Sequence, residues 1–254
     1  MVAIGMTRSE VLWDDGIAFG LGLFETIAVE HGQPVFLDEH LARLVSGARR
    51  LGIETDGRVD AGDVLSGINR ENMVRSAMKL VLTPSNLLML PRSNPYSEVD
   101  RARGFRLRFS EVRRNETSPL TYLKSMNYGD NLMEKRRAHK DGFDEPLFLN
   151  TNGFVAEGAT TNMFWARDGR LFTPPVKAGL LPGVMRSYVM SHCAVEECMA
   201  SRGELFAADE VFVTNSLLGI MPASSLEGHA YDAANRRFSR EAWHLYANHL
   251  ADFA

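Results

Sequence analysis

Apolar runs of strand length alternate with stretches of helical spacing along this chain, a pattern that only a mixed fold can bury. Phe105, Leu107 and Phe109 alternate with Arg106, Arg108 and Ser110, the two-residue period of a half-buried strand. Residues 23–29 are rich in β-formers; Glu30, His31, Gly32 and Gln33 make a turn, and 34–37 continue as a second strand. Asp38 then reads as a helix N-cap. Leu41, Leu44, Val45, Ala48 and Leu51 follow at helical spacing, and Gly52 stands where a C-terminal cap falls. Another helix is expected over 62–68 and a buried strand over 78–83. Pro84, Pro91 and Pro95 make 84–100 an expected irregular stretch.

The second half alternates again. Residues 126–140 read as a helix, 146–150 as a strand, and Thr151-Asn152-Gly153 as a turn into a strand over 154–157. Residues 162–166 and 171–173 suit a hairpin around Asp168-Gly169. A helix is expected from Gly183 to about residue 199, and a buried strand over 211–214. The polar stretch 113–120, ending in Ser118-Pro119, suits an interdomain connector. The expected architecture is a two-part α/β fold of the mixed α+β kind. Its N-terminal domain covers 1–112, its linker 113–121 and its C-terminal domain 122–254.

With 254 residues, 45% hydrophobic and 24% charged, the chain can bury a sizeable core, which excludes a disordered or disulfide-stapled protein. Its 28 basic and 32 acidic side chains leave a net charge of -4, so no positive field invites nucleic acid or an anionic membrane. No apolar run approaches the roughly 20 residues of a membrane span. The opening MVAIGMTRSE lacks a signal-peptide pattern. Cys193 and Cys198 are poorly spaced for a disulfide within the expected helix, so a cytoplasmic setting with reduced thiols is expected. No metal site is expected, because the histidines are scattered and no His-x-x-x-His or paired-cysteine motif occurs. Gly20-Leu21-Gly22 precedes a strand and reads as a turn, not a nucleotide-binding loop.

Lysines number 5 against 23 arginines, which narrows any amine chemistry. A lone lysine is ordinarily a solvated surface charge. Lys124 is less ordinary, because Tyr122, Leu123 and Met126 crowd it beside the expected linker. Desolvation there lowers an amine's pKa and favours the neutral form that attacks a carbonyl.

Six segments occur in order: GLGLFETIAV (20–29), FLDEHLARL (36–44), LKSMNY (123–128), VAEGATTNMF (155–164), LLPGVMR (180–186) and VFVTNSLLGIMP (211–222). Together they closely resemble the class IV aminotransferases, the fold-type IV pyridoxal-phosphate enzymes. That family includes branched-chain and D-amino-acid aminotransferases and aminodeoxychorismate lyase. The resemblance implies pyridoxal 5′-phosphate as cofactor, a small amino substrate and a homodimer. Lys124 matches the lysine that binds the cofactor covalently and later moves the substrate proton. Glu157 matches the acid beside the cofactor's pyridine nitrogen, where a carboxylate keeps the ring protonated and electron-accepting. Asn162 matches a structural hydrogen-bonder in the same strand-turn unit, and Tyr128 the tyrosine near the phenolic oxygen.

Arg43 and two backbone cradles are expected at the phosphate. One is Gly183, Val184 and Met185 at a helix N-terminus; the other is Asn215, Leu218, Gly219 and Ile220 after a buried strand. Periodicity alone puts Arg43 opposite the apolar stripe of its helix, on the solvent side. The resemblance turns that face toward the cofactor.

Within the family, two details lean toward the lyase. Met185 stands where aminotransferases usually have Thr, and residues 215–222 are similar to the lyase pattern of Asn, a small residue, apolar residues and Pro. The lyase reading implies conversion of 4-amino-4-deoxychorismate to 4-aminobenzoate and pyruvate. Lys124 takes the proton from the amine-bearing carbon, and Thr26 is a proton donor or orienter near the leaving group; an ordinary strand threonine is an equal reading. The alternative is an aminotransferase acting on a D-amino acid, a branched-chain amino acid or an amine, with a 2-oxo acid acceptor. The lyase substrate carries two carboxylates and requires cations, for which Arg92 is the candidate, with Arg106 and Arg108 behind it. Leu21 replaces a common Asp, and 85–90 replace a Gly-rich segment, both on the substrate side.

Overall fold

In the computed structural model, which describes residues 11–252, the chain is organised around two sheets. Residues 1–10, which carry the N-terminal sequence read above as lacking a signal-peptide pattern, and residues 253–254 lie outside the described residues. Short α1 (Asp15–Phe19) leads into β1 (Leu23–Glu30) and β2 (Gln33–Pro34). After α2 (Leu37–Leu51) and α3 (Ala61–Arg70), β3 (Ser76–Leu82) and β4 (Leu87–Arg92) complete an antiparallel sheet of order β2-β1-β3-β4.

The two faces of this sheet serve different purposes, because side chains alternate along each strand. Leu23, Ile27 and Val29 of β1 and Met78, Leu80 and Leu82 of β3 are buried under Leu44 and Ala48 of α2 and Val64 and Ile68 of α3. Phe24, Thr26, Lys79 and Val81 point the other way and line a cavity.

The second sheet begins after α4 (Glu98–Arg103). It contains β5 (Phe105–Arg114), then, beyond α5 (Gly129–Lys140), β6 (Glu145–Asn150), β7 (Val155–Gly158), β8 (Asn162–Arg167) and β9 (Arg170–Thr173). There follow α6 (Val184–His192), β10 (Val195–Glu197), α7 (Arg202–Phe206), β11 (Glu210–Asn215), β12 (Gly219–Leu226), β13 (His229–Ala230) and α8 (Arg237–Ala251). The order is β10-β9-β8-β11-β12-β5-β6-β7, with β13 on β12. β5 runs parallel to both of its neighbours. One core packs Phe105, Leu107 and Phe109 against Leu147, Trp165 and Val211. Another packs Phe164 and Phe212 with Met185 and Val189 of α6 and with Ala28 and Val35 of the first unit. The fold is mixed α/β, as expected. Among the described residues no helix is long and apolar enough to cross a membrane.

Several local expectations shift. Helix α2 starts at Leu37, after a left-handed Phe36 (φ 56°), so Asp38 lies inside the first turn and β2 is only two residues long. The stretch 84–100 is largely regular: it holds β4 and α4, the latter opened by a Ser97/Asp100 capping box. Pro91 is tolerated because β4 is the sheet's edge, where a missing N–H costs no ladder bond. Helix α6 ends at His192 instead of near residue 199, because 195–197 pair in parallel with β9. Cys193 and Cys198 flank that strand and are both free. The expected linker at 113–121 begins within the last two residues of β5, whereas sheet membership already changes between β4 and β5.

Candidate active site

Lys124 sits on an extended segment, not at the start of a helix. The Phe24 N–H donates to Lys124 O at 2.9 Å, the Met126 N–H donates to Gly22 O at 2.8 Å, and Leu23 and Ser125 form a bridge. Because β2 covers only Val29 and Glu30, the other end of β1 is left open for this pairing. Helix α5 therefore starts at Gly129. The Lys124 ammonium lies 4.7 Å from the centre of the Phe24 ring and 5.7 Å from that of Tyr128. Burial, aided by the positive charge of Arg43, pulls its pKa from 10.5 down to about 8, against the opposing pull of Glu25 and Glu157. Near neutral pH this amine is poised to lose its proton.

The cavity beside it measures about 910 Å³ and is walled by the outer face of the first sheet, the 123–128 segment and the ends of β7, α6 and β11. Buried Glu157 reaches it from β7. Its carboxylate accepts from the Leu181 N–H at 3.0 Å and lies 3.2 Å from the Arg114 guanidinium. Burial nonetheless raises its pKa to about 7, with Arg114 pulling the other way. Asn162, at the start of β8, donates to the Leu181 carbonyl at 2.8 Å. The Leu181 peptide is thus gripped at both ends, and Arg43 donates to the next carbonyl, that of Pro182, at 3.1 Å. These three contacts fix Gly183, which opens α6 with no side-chain cap. Its first N–H groups are free for an anion.

Arg43 owes its position to a buried carboxylate. Glu25 accepts a forked pair from Arg43, 2.8 Å from Nε and 2.7 Å from Nη2, and a 2.7 Å bond from His40 Nδ1. Burial alone would raise the Glu25 pKa, but Arg43 and then His40 outweigh it and hold it at about 2. Burial keeps the His40 imidazole below its ordinary pKa in spite of Glu25, so the neutral ring donates from Nδ1–H. Glu25 and His40 were not assigned from the sequence. The available signal was a carboxylate on the apolar stripe Leu23, Ile27, Val29, with His40 and Arg43 three apart on one helix face.

The class IV amino-transferase profile matches residues 22–226, most of the chain. The chain belongs to the class IV aminotransferase family. Members are pyridoxal-phosphate enzymes, and this one is too. It is 29% identical to an aminodeoxychorismate lyase of Bacillus subtilis over 94% of this chain and 88% of that one. It is equally 29% identical to a D-alanine aminotransferase of Bacillus licheniformis, over 88% and 86%. A solved Legionella pneumophila structure, provisionally assigned as a 4-amino-4-deoxychorismate lyase, superposes with a TM-score of 0.87 at 31% identity, covering 96% of each chain.

The class IV site fits its cofactor on internal grounds. Among the described residues the Lys124 amine has no hydrogen-bond partner, the Thr214 hydroxyl is buried at the cavity wall without one, and the α6 N-terminus has no side-chain cap. An amine, a hydroxyl and free N–H groups around one cavity suit an aldehyde that carries a phosphate. Of the residues expected there, Thr26, Arg43, Lys124, Tyr128, Glu157, Asn162, Gly183, Val184, Met185 and Asn215 all line it, and so does Arg92. Tyr128 donates to Ala159 O at 2.8 Å, and burial pushes its pKa up.

Three expected residues do not reach this class IV cavity. The β11–β12 hairpin meets it at Thr214, Asn215, Ser216 and Leu217. The Leu218 N–H is taken by Asn215 Oδ1 at 2.9 Å, while Gly219 and Ile220 pair within the hairpin. Arg106 lies outside as well, exposed on β5 with its guanidinium 3.2 Å from Asp144. Arg108 pairs with Asp141. Arg114 and Lys79, which the sequence did not single out, line the cavity instead.

Proposed function

We propose that this enzyme converts 4-amino-4-deoxychorismate to 4-aminobenzoate and pyruvate. The observation that carries the reading is Lys124, an amine of lowered pKa that faces a cavity of about 910 Å³, in a chain similar to an aminodeoxychorismate lyase over 94% of its length. When bound, pyridoxal phosphate supplies an electron-accepting ring for the charge left by a departing proton. Lys124 takes that proton from the amine-bearing ring carbon. The neighbouring carbon–oxygen bond then breaks, the enolpyruvyl group leaves and gains one proton to become pyruvate, and the six-membered ring becomes aromatic. Thr26 is assigned to orient or protonate the leaving group. Glu157, backed by Arg114, would partner the pyridine nitrogen; Arg43, Gly183, Val184, Met185 and Asn215 would hold the phosphate.

An aminotransferase reading has one specific support, the equal 29% identity to a D-alanine aminotransferase. The two separate in one assay. Pyruvate released from 4-amino-4-deoxychorismate alone supports the lyase; amino transfer from D-alanine or leucine that requires 2-oxoglutarate supports the alternative. The reading includes a homodimer, supported by Trp13, Phe19 and Met133 at 80%, 70% and 68% exposure. Light scattering then reports twice the 28.3 kDa chain mass. A cytoplasmic setting is part of the same proposal and agrees with two free thiols.

A further inference from the structure

Four of the eight lysines and arginines around the cavity already face a carboxylate. Arg43 lies 2.7 Å from Glu25, Arg103 2.8 Å from Asp144, Arg114 3.2 Å from Glu157 and Lys135 2.5 Å from Glu145. Lys124 is accounted for by the cofactor. Lys79, Arg92 and Arg113, by contrast, form no ion pair and no side-chain hydrogen bond with any described residue; of the three, Lys79 and Arg92 share the first sheet, whereas Arg113 stands near the end of β5. Lys79 has only the Phe24 ring, 4.8 Å from its ammonium.

The sheet register sets these two side by side. Thr26 lies directly opposite Lys79 across β1 and β3, while Ala77, two residues before Lys79, lies opposite Arg92 across β3 and β4. Lys79 and Arg92 are therefore diagonal neighbours on one face, the face that lines the cavity. Burial lowers the Lys79 pKa, and repulsion from Arg92 adds to it. Two like charges in a cleft without a counter-ion are unfavourable until an anion arrives.

We propose that Lys79 and Arg92 together form the receptor for a carboxylate of the substrate, and that this pair selects a dianionic amine over an ordinary monoanionic amino acid. The assignment rests on the lyase reading, whose substrate carries two carboxylates. A carboxylate is matched to such a pair because it can take one charge-assisted hydrogen bond on each oxygen. Thr26 shares the Lys79 rung, so the receptor and the hydroxyl assigned to the leaving group belong to one surface.

Chorismate tests this, since it keeps both carboxylates but has a hydroxyl in place of the amine and binds without reacting. The holoenzyme is titrated with chorismate, following tryptophan fluorescence, as wild type, Lys79→Gln, Arg92→Gln and Lys79→Arg. Each Gln variant is expected to bind at least about 10-fold more weakly, with Lys79→Arg restoring most of the loss. Added salt weakens the wild type more than the Gln variants. In turnover of 4-amino-4-deoxychorismate the KM rises by more than kcat falls, while the visible cofactor band of each variant reports an intact site. Unchanged chorismate affinity in both Gln variants overturns the receptor. Chorismate binding that depends on Lys79, with no pyruvate formed from 4-amino-4-deoxychorismate, sinks the lyase reading and leaves the receptor standing; pyruvate formation unaffected in both variants does the reverse.

Discussion

The main-chain N–H of Phe24 donates to the carbonyl of Lys124 at 2.9 Å, and the Phe24 ring lies 4.7 Å from the ammonium of the same lysine. One residue therefore governs the lysine twice, its backbone through strand pairing and its amine through the electron-rich ring face. A reactive group held on a sheet edge keeps its position better than one on a free loop, which suits an amine that must both bond to a cofactor and shuttle a proton.

Borohydride reduction of the holoenzyme followed by peptide mapping is expected to place the label on Lys124. Lys79 lies at a similar distance from the Phe24 ring, 4.8 Å, and is the control. Lys124→Ala should bind no label and lose about 1000-fold or more of turnover. A label on Lys79 would overturn the assignment.

Only the neutral amine attacks an aldehyde, so cofactor uptake by the apo-protein should follow the Lys124 titration. With its pKa lowered to about 8, the uptake rate rises with pH below that value and levels off above it. Stopped-flow absorbance across the pH range measures this directly. A rate still climbing past pH 10 would mean an ordinary exposed lysine.

Glu25 ties stability to acid. Its folded pKa of about 2 lies below its ordinary 4.5, so the stabilisation it supplies is fully present above pH 4.5 and is lost as pH falls toward 2. The difference corresponds to about 3 kcal/mol. Glu25→Gln leaves Arg43 without its counter-ion and should destabilise by a similar amount at neutral pH, about 3 kcal/mol, while removing this acid dependence. Denaturant unfolding of both proteins at several pH values below 6 is the check; parallel pH profiles would refute the role of Glu25.

Asn162→Ala removes the donor that holds Leu181 O, one of the contacts that position the α6 N-terminus. The expected result is about 10-fold weaker affinity for pyridoxal phosphate, with thermal stability falling less than cofactor affinity. The same crowding bears on Gly183, where an added Cβ would collide with the Asn162 side-chain oxygen. Equilibrium dialysis of variant and wild type measures the ratio, and equal affinities would assign Asn162 to packing alone.

Much of the fold is legible locally. The alternation at Phe105, Leu107 and Phe109 places three buried side chains on β5, and Gly52 caps α2 in the left-handed conformation that its lack of a Cβ permits. Asp168 and Gly169 turn β8 into β9 with φ of 52° and 73°. The ordered motifs likewise bring Lys124, Glu157, Asn162 and Gly183 to a single cavity.

What the residues by themselves determine here is periodicity, turn chemistry and family membership, since each is written in side chains that lie close together along the chain. Tertiary contacts alone decide that 124–126 pair with β1 instead of opening a helix, that Pro91 falls on an edge, and that Arg43 turns from solvent to Glu25. They also decide which cavity cations keep no carboxylate, and that two of these, Lys79 and Arg92, share one sheet face. The reason is physical: the Arg43–Pro182 bond joins residues 139 apart, and an interaction between distant segments leaves no mark on the local spacing of either one.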